Sequence, residues 1–208
     1  MIIAIDGTTA SGKGTLAKRV AAHYGLKRLD SGAIYRAVAL AVLDAGGDPR
    51  DAAAAEAAAR GVDLDAIDEA RIRTGAVGAA ASVVAAIPAV RAALLEAQQA
   101  FARTPQGAVI DGRDIGTVVC PNADVKLFVT ADPAVRALRR WHELVAKGES
   151  ITLEALSAEI AARDKRDAER TVSPMKPAPD AHLLDTTALS IEAAAAAACR
   201  IIDAVLHI

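Results

Sequence analysis

The sequence predicts an α/β fold in which a mostly parallel sheet is covered by helices on both faces. Short apolar runs alternate along the chain with longer segments of helical periodicity, beginning with the run MIIAI at residues 1–5. This alternation is the order expected of βαβ units. A second observation is a glycine-rich loop that joins the first predicted strand to the first predicted helix. No internal repeat competes with this interpretation.

The amino-terminal half contains two predicted strands and two predicted helices. Residues 1–5 form the first strand, and Gly25 ends a helix whose apolar residues recur every four positions, at Leu16, Val20 and Tyr24. A second short strand is predicted at residues 26–30, and a helix begins at about Ala33 and stops at a Gly-Gly pair. Residues 50–80 are rich in alanine and only weakly periodic, so the sequence assigns them no element.

Proline and aspartate mark the helix starts in the second half. Pro88 suits the first turn of a helix with an apolar face made by Val90, Leu94, Ala97 and Phe101. Asp132 can cap a helix that starts at the following proline and ends near Gly148. A further helix is predicted from about Thr152 towards Thr171.

Three apolar runs complete the predicted sheet. Residues 107–111 (GAVID) and 124–129 (DVKLFV) read as buried strands. Residues 182–185 (HLLD) form the last strand before a carboxy-terminal helix, and a proline-rich loop at 173–179 precedes it.

The composition favours a soluble protein with one hydrophobic core that binds small anionic ligands. The 208 residues are 53% hydrophobic and 24% charged, which is typical of a globular protein. A net charge of −2 and only 2% aromatic residues argue against binding a nucleic-acid polymer. Any bound anion should therefore be small and held by a local cluster of cationic groups.

The sequence is consistent with a reducing cytoplasm. Asp6 interrupts the first apolar run, so a signal peptide is not predicted, and no run reaches the length of a membrane span. Cys120 and Cys199 have no metal-like spacing with each other or with the four histidines, so we expect two idle thiols.

The loop in residues 5–15 (IDGTTASGKGT) has the context of a phosphate-binding P-loop. Gly7 and Gly12 allow sharp turns that point backbone N–H groups at phosphate oxygens. Lys13 and the helix N-terminus add positive charge. The alternative is a flexible turn that happens to contain a lysine. Gly14 follows the lysine, and the first hydroxyl comes one place later, at Thr15.

The GKGT ending resembles that of nucleoside monophosphate kinases more than the GK[ST] of GTPases. Further blocks closely resemble the bacterial cytidylate kinase family and occur in its order: LDSGAIYR, AASVVAAIPAVR, IDGRDIGTVVCPNADVKLFV, RDKRDAERTVSP and HLLDTTALSIE. Together with the loop they span nearly the whole chain. The resemblance implies one kinase domain, residues 1–208, with a shortened acceptor-nucleotide insert around 61–82 and a mobile lid around 163–179.

The resemblance also implies the reaction and its residues. The activity would be transfer of the γ-phosphoryl group of Mg²⁺-ATP to CMP or dCMP. The catalytic residues would be Lys13, Arg163 and Arg170. ATP would be bound by Gly7, Thr8, Thr9, Ala10, Ser11, Gly12, Lys13, Gly14, Thr15 and Arg166. Mg²⁺ would lie near Thr15, directly or through water. CMP would be bound by Ser31, Arg36, Ser82, Arg91, Arg113, Asp114, Arg163, Asp167 and Arg170.

Several of these residues could have a structural role instead of binding the nucleotide. Asp114 and Arg91 complement the donor and acceptors of cytosine, whereas Ser31 could cap a helix and Ser82 could simply pack. Arg36 and Arg113 offer guanidinium forks for a phosphate, or ion pairs with the neighbouring aspartates Asp30 and Asp111.

The run RDKRDAER raises a similar choice. On a helix Arg163, Arg166 and Arg170 would share one face, where like charges repel. The alternative to phosphate binding is a solvent-exposed helix face whose arginines form ion pairs.

Asp6 and Asp111 end strands beside the loop. Either could order Mg²⁺-bound water or hold a backbone amide, and we expect the second role for Asp6.

Two departures and three rival functions accompany the resemblance. Thr8 stands where the family commonly has proline, which should alter loop stiffness more than phosphate contacts. The insert is short, so the roles of residues in the family's longer insert cannot be assigned to residues of this chain.

The alternative functions are a kinase of UMP or dTMP, a shikimate kinase, and a non-catalytic ATP-binding regulator. A compact kinase of this size is expected to be a monomer that acts on small molecules and binds no membrane.

Overall fold

Five parallel strands form the centre of the molecule. The computed structural model describes all 208 residues except the side chain of Asp65. The strands are β1 (Ile2–Gly7), β2 (Lys27–Asp30), β3 (Ala108–Gly112), β4 (Val125–Thr130) and β5 (His182–Asp185). They lie in the order β2-β3-β1-β4-β5, and every neighbouring pair is parallel. The predicted α/β fold with a parallel sheet is confirmed.

Helices connect these strands and cover both faces of the sheet. They are α1 (Lys13–Tyr24), α2 (Ser31–Asp44), α3 (Ala52–Arg60), α4 (Gly75–Val84), α5 (Pro88–Ala102), α6 (Pro133–Val145), α7 (Leu153–Glu169) and α8 (Ile191–Leu206). Short 3₁₀ turns occur at Leu64–Ala66 and Arg71–Arg73, and a π-helical turn occurs at Ile115–Val119. The described chain has no single helix long and apolar enough to span a membrane, although α4 and α5 together reach that length with a 99° bend between them.

Capping residues set the helix boundaries. The side chain of Asp132 accepts the Ala134 N–H at 2.8 Å, which confirms the predicted start of α6. Gly25 ends α1 in the left-handed conformation, with φ of 65°. The helix predicted from about Ala33 begins earlier, at Ser31, because the Asp30 carboxylate accepts the Ala33 N–H at 3.1 Å. The cap is therefore Asp30, and the alternative cap role for Ser31 is wrong.

The alanine-rich segment 50–80 is mostly helical. Asp51 caps α3 and Thr74 caps α4, and the small side chains let α4 pack closely on α2. Alanine stands on both buried and exposed positions here, so the sequence has little hydrophobic contrast from which to predict a helix face.

The sheet separates two apolar cores. On one face Ile3, Ile5 and Leu127 pack beneath α1 and α8. On the other face Ala4 and Ile110 pack against helices α2 to α5. A smaller cluster of apolar residues joins α6 to α7.

The strand ends determine where a ligand can bind. β1, β2 and β3 end in Asp6-Gly7, Asp30 and Asp111-Gly112, which therefore meet at one edge of the sheet. In open parallel sheets ligands bind outside the carboxyl ends of the strands. The loops and helices that directly follow these strands contain the predicted residues 7–15, Ser31, Arg36, Arg113 and Asp114.

Leu127→Ala tests the stability contributed by the buried strand β4. The Leu127 side chain is 1% exposed, so its truncation should lower the free energy of unfolding by about 2–5 kcal/mol through lost apolar contact and a residual cavity. The neighbouring strand provides the control, because Leu183 is 66% exposed and Leu183→Ala should cost less than about 0.5 kcal/mol. Urea unfolding of both variants measures the two costs, and equal values would contradict the described core.

Candidate active site

The loop between β1 and α1 needs glycine at both of its ends. Gly7 has φ of 151°, and a Cβ at that position would lie 2.0 Å from the carbonyl oxygen of Val129. Gly12 has φ of 85°, a left-handed conformation that side chains other than glycine rarely adopt. The two glycines let the loop curve back over the start of α1.

The first turn of α1 offers donors and positive charge. Gly12 occupies the N-cap and has no side chain with which to cap the helix, so the first backbone N–H groups are open to an anion. The Ser11 hydroxyl donates to the Thr8 carbonyl at 2.9 Å and steadies the loop from within. The Lys13 ammonium lies 3.4 Å from the same carbonyl. Burial, followed by repulsion from Arg113, lowers the pKa of Lys13 to about 7.

One cavity of about 290 Å³ lies beside this loop. Thr9, Ala10, Lys13 and Gly14 line it from the loop side. All nine residues predicted for the acceptor nucleotide line it as well: Ser31, Arg36, Ser82, Arg91, Arg113, Asp114, Arg163, Asp167 and Arg170. The structure thus brings together side chains from six separate parts of the chain.

Arginines in this cavity have hydrogen-bond donors without acceptors. Among the described residues no partner is present for the buried Nε atoms of Arg36, Arg91 and Arg163, or for Nε and Nη2 of Arg170. A buried donor without an acceptor is costly. Such a set of donors fits an anion with several acceptor oxygens, which is the chemistry of a phosphate.

The same arginines repel one another. Burial, followed by the charge of Arg113, lowers the pKa of Arg163 to about 10. Burial and the charge of Arg91 also lower the pKa of Arg170. Asp167 opposes both effects from the cavity wall. A bound anion would relieve the repulsion that remains.

Arg91 and Asp114 form a buried pair at one end of the cavity. The Arg91 Nη2 donates to the Asp114 carboxylate, and both side chains are 7% exposed. Arg91 also donates to the Ala85 carbonyl at 3.3 Å and lies over the ring of Tyr35, 5.5 Å from its centroid. This end of the cavity presents a carboxylate and a guanidinium side by side, which matches a base edge with both donor and acceptor atoms.

Asp6 holds the backbone next to this pair. Its carboxylate accepts the Ile115 N–H at 2.8 Å and the Gly116 N–H at 2.7 Å, which confirms the amide-holding role. Burial raises the pKa of Asp6 to about 6, despite these two bonds. The bonds fix the π-helical turn that starts directly after Asp114, so the strand that leads into the loop also orients Asp114.

The aspartates at the strand ends have their own arginine partners. Arg36 donates to Asp30 at 2.8 Å, the ion pair given above as an alternative. Asp111 pairs with Arg28 at 2.8 Å, so it is not the partner of Arg113. Burial and then the negative charge of Asp30 raise the pKa of Asp111 to about 6. The Arg113 Nε donates to Asp167 at 2.9 Å.

The basic run does not keep its arginines on one helix face. Helix α7 ends at Glu169, so Arg170 leaves the helix with φ of −56° and ψ of 134°. Arg163 and Arg170 line the cavity, whereas the Arg166 Nε donates to the Ser82 hydroxyl at 3.3 Å. The expectation of one shared face is therefore wrong, because it assumed that the helix continued past Glu169. The assignment of Arg166 to ATP stays a prediction.

The sequence did not single out several residues at this site. Tyr35 lines the cavity, although its neighbour Arg36 and the block that contains both were recognised. Arg73 lies in the alanine-rich segment that showed no periodicity. Two further residues, Arg136 and Asp164, bond to Thr9 of the loop. Asp164 lies in the block RDKRDAERTVSP, but its partner Thr9 is 155 positions away, so the sequence around Asp164 does not indicate the contact.

The described side chains contain no cluster of three His, Cys, Asp or Glu residues that could hold a metal ion unaided. Cys120 and Cys199 are free thiols, and burial raises the pKa of Cys120 to about 11. A raised pKa leaves little thiolate at neutral pH, so Cys120 is a poor nucleophile.

Comparison with known proteins assigns the chain to a family. The family model described as cytidylate kinase matches residues 3–204. The chain is 57% identical over 205 residues to a cytidylate kinase of Nitrobacter winogradskyi, covering 99% of this chain and 97% of that one. It is 56% identical, with the same coverage, to a cytidylate kinase of Bradyrhizobium diazoefficiens.

A solved structure has the same fold. An uncharacterized protein from Eubacterium ventriosum aligns with a TM-score of 0.56 at 16% identity, covering 98% of both chains. At this level of identity the likeness concerns the fold alone. The matches over nearly the full sequence are much closer, and they establish that this chain belongs to the cytidylate kinase family.

Proposed function

We propose that this protein transfers the γ-phosphoryl group of Mg²⁺-ATP to CMP or dCMP, which gives ADP and CDP or dCDP. Family membership supports this reaction. The observation that carries it for this chain is that four arginines lining one cavity retain buried donors without acceptors. A phosphate supplies the missing acceptors, and two nucleotides meeting end to end supply several phosphates.

The donor triphosphate would lie along the loop that runs from Gly7 to Thr15. Backbone N–H groups at the start of α1 bind its phosphate oxygens, and Lys13 neutralises part of their charge. The Thr15 hydroxyl and the Asp111 carboxylate are the protein groups that fit a magnesium ion, since Asp111 lies beside Gly14 at the loop. Such an ion would offset negative charge on the transferring phosphoryl group.

The acceptor would fill the arginine-lined cavity. Arg36 and Arg113 bind its phosphate, and Asp114 with Arg91 binds the cytosine edge, accepting from N4 and donating to N3 and O2. Asp167 and Arg163 hold the sugar, while Arg170 reaches across the nucleotide. Ser31 and Ser82 border the base, both less than 7% exposed.

The chemistry requires positioning more than covalent participation. An oxygen of the acceptor phosphate is already ionised, so it needs no general base to attack the γ-phosphorus. The new P–O bond forms as the bond to the β,γ-bridging oxygen breaks, and ADP leaves with that electron pair. Lys13, Arg163 and Arg170 stabilise the negative charge that spreads over the transferring group.

The remaining expectations form part of the same proposal. The chain acts as one kinase domain, with residues 61–82 as a shortened insert and residues 163–179 as a lid that excludes water when both nucleotides bind. It works as a cytoplasmic monomer on small molecules, without binding a nucleic-acid polymer or a membrane. The low net charge and scarcity of aromatic residues support this choice of ligands.

Lys13→Ala tests the donor loop. The variant should fold normally and lose at least about 10²-fold in kcat, because one cationic donor to the transferring group is removed. Lys18→Ala is the matched control, since Lys18 is an exposed lysine of the same helix and should retain full activity. A coupled assay of ADP release measures both, and near-normal turnover by Lys13→Ala would refute the loop assignment.

Asp114→Ala tests recognition of the base. Its loss should weaken the preference for CMP over UMP by about 1–3 kcal/mol, because uracil has no amino group at the corresponding position. The change also leaves Arg91 without its buried partner, which affects both substrates alike. The ratio of kcat/KM values for CMP and UMP isolates recognition from this shared loss. An unchanged ratio would mean that Asp114 only supports the structure.

The pH dependence of ATP binding tests the state of Lys13. In the free protein its pKa is lowered to about 7, whereas a bound polyphosphate favours the protonated form and raises the pKa. Affinity should therefore fall by up to about tenfold per pH unit above pH 7, with uptake of one proton per ATP bound. Calorimetry in buffers of different ionisation enthalpy measures this uptake.

Lys13→Arg is the control for this pH dependence, because a guanidinium keeps its proton throughout the range. Its affinity for ATP should change little between pH 7 and pH 9, apart from the titration of the nucleotide itself. Equal proton uptake by both proteins would contradict the assignment to Lys13.

A further inference from the structure

Thr9 connects the donor loop to three other parts of the molecule. Its backbone N–H donates to the Asp164 Oδ1 on α7 at 2.9 Å. Its carbonyl accepts from the Arg136 Nη1 on α6 at 2.9 Å. Its hydroxyl accepts from the Arg113 Nη2 at 3.1 Å. Each polar group of this residue is therefore bonded to a different neighbour.

Asp164 and Arg136 form the rigid side of this junction. The Arg136 Nη1 also donates to the Asp164 Oδ2 at 2.5 Å, and its Nε donates to the Ala131 carbonyl at 2.9 Å. Arg136 is only 5% exposed, so its planar guanidinium is held in place on several sides. The two oxygens of Asp164 thus serve two different donors, one on the loop and one on α6.

Helix α7 contacts both nucleotide sites through carboxylates one turn apart. Asp164 binds the donor loop, and Asp167 accepts from the Arg113 Nε at 2.9 Å. Arg113 lines the acceptor cavity, and Arg163, next to Asp164, lines it too. These contacts connect the loop to α7 and, through α7, to the groups around the acceptor cavity.

We propose that Asp164 is a positioning residue that couples occupancy of the donor loop to affinity for the acceptor nucleotide. The inference rests on the proposed function, because it names how the two sites of that function communicate. Thr9 already donates to Asp164 in the ligand-free structure. A triphosphate bound to the loop restricts the loop further and, through Asp164, restricts α7, which then holds Arg113 and Arg163 in place for the acceptor. Linkage requires that the acceptor tighten donor binding by the same factor.

Asparagine at position 164 cannot replace the carboxylate. Its amide oxygen can accept from either Thr9 or Arg136, but the amide nitrogen then faces the other donor. Neither orientation satisfies both bonds, so Asp164→Asn weakens the link from α7 to the loop or to α6 while it preserves the size of the side chain. Arg136→Lys is the second variant, because one ammonium nitrogen cannot replace both Nη1, which donates to Thr9 and Asp164, and Nε, which donates to the Ala131 carbonyl.

The test is the affinity of CMP measured by calorimetry with and without a non-hydrolysable ATP analogue and Mg²⁺. In the unmodified protein the analogue should tighten CMP binding at least about fivefold. In Asp164→Asn and in Arg136→Lys this factor should fall to nearly one, while CMP alone binds within about twofold of the original affinity. The double variant should lose no more than either single one, since both act at the same junction.

Glu154→Gln is the matched control, because it removes one exposed carboxylate from the first turn of the same helix. It should keep the full coupling factor. Full coupling in a folded Asp164→Asn protein, or no coupling in the unmodified protein, would overturn the inference. Failure of the unmodified protein to bind either ligand would instead refute the proposed function.

Hydrogen exchange on the unmodified protein gives a second readout that needs no variant. The Thr9 amide should be protected to a degree similar to the middle of α7, because Asp164 accepts its N–H in the ligand-free structure. Exchange at the rate of an open loop would also overturn the inference.

Discussion

Positive charge concentrated around one cavity is the constraint on which the rest of the structure depends. Buried guanidinium groups of Arg36, Arg91, Arg163 and Arg170 retain donors without acceptors, and the ammonium of Lys13 has its pKa lowered towards neutrality. Such an arrangement opposes folding, because like charges repel and buried donors lose water. The fold must hold these groups in place, so that an incoming phosphate finds its partners already arranged.

The parallel sheet provides that support. Adjacent strand ends place Asp6, Asp30 and Asp111 at one edge of the sheet. Each carboxylate there binds backbone N–H groups, an arginine side chain, or both. Asp6 fixes the backbone beside the buried pair of Arg91 and Asp114. Asp30 caps α2 and pairs with Arg36, while Asp111 pairs with Arg28. The three carboxylates therefore lie close to the cationic groups of the cavity but neutralise only some of them.

The fold was largely predictable from the sequence because its strong signals are local. Buried strands read as short apolar runs, and Asp132 with the following proline marked a helix start by a mechanism that acts within one turn. The loop glycines were equally informative, since φ of 85° at Gly12 suits few other residues. The segment 50–80 was not predictable, because alanine occupies both faces of its helices.

The site was predictable where a block of residues resembled a known family and unpredictable where partners meet only in three dimensions. Nine predicted acceptor residues line one cavity. The pairing of Arg113 with Asp167, and of Arg28 with Asp111, joins residues far apart in the chain. The bond from Thr9 to Asp164 likewise spans 155 positions. Such contacts have no signature in a single sequence, and the departure of Arg170 from its helix depends on where α7 stops.

A crystal structure with CMP and a non-hydrolysable ATP analogue bound together is the most direct measurement of the central claim. We expect the CMP phosphate within hydrogen-bond distance of Arg36 and Arg113, and the analogue's terminal phosphate between Lys13 and Arg163. Each arginine donor that lacks an acceptor in the free protein should then have one. Phosphates bound elsewhere, with those donors still unsatisfied, would contradict the account.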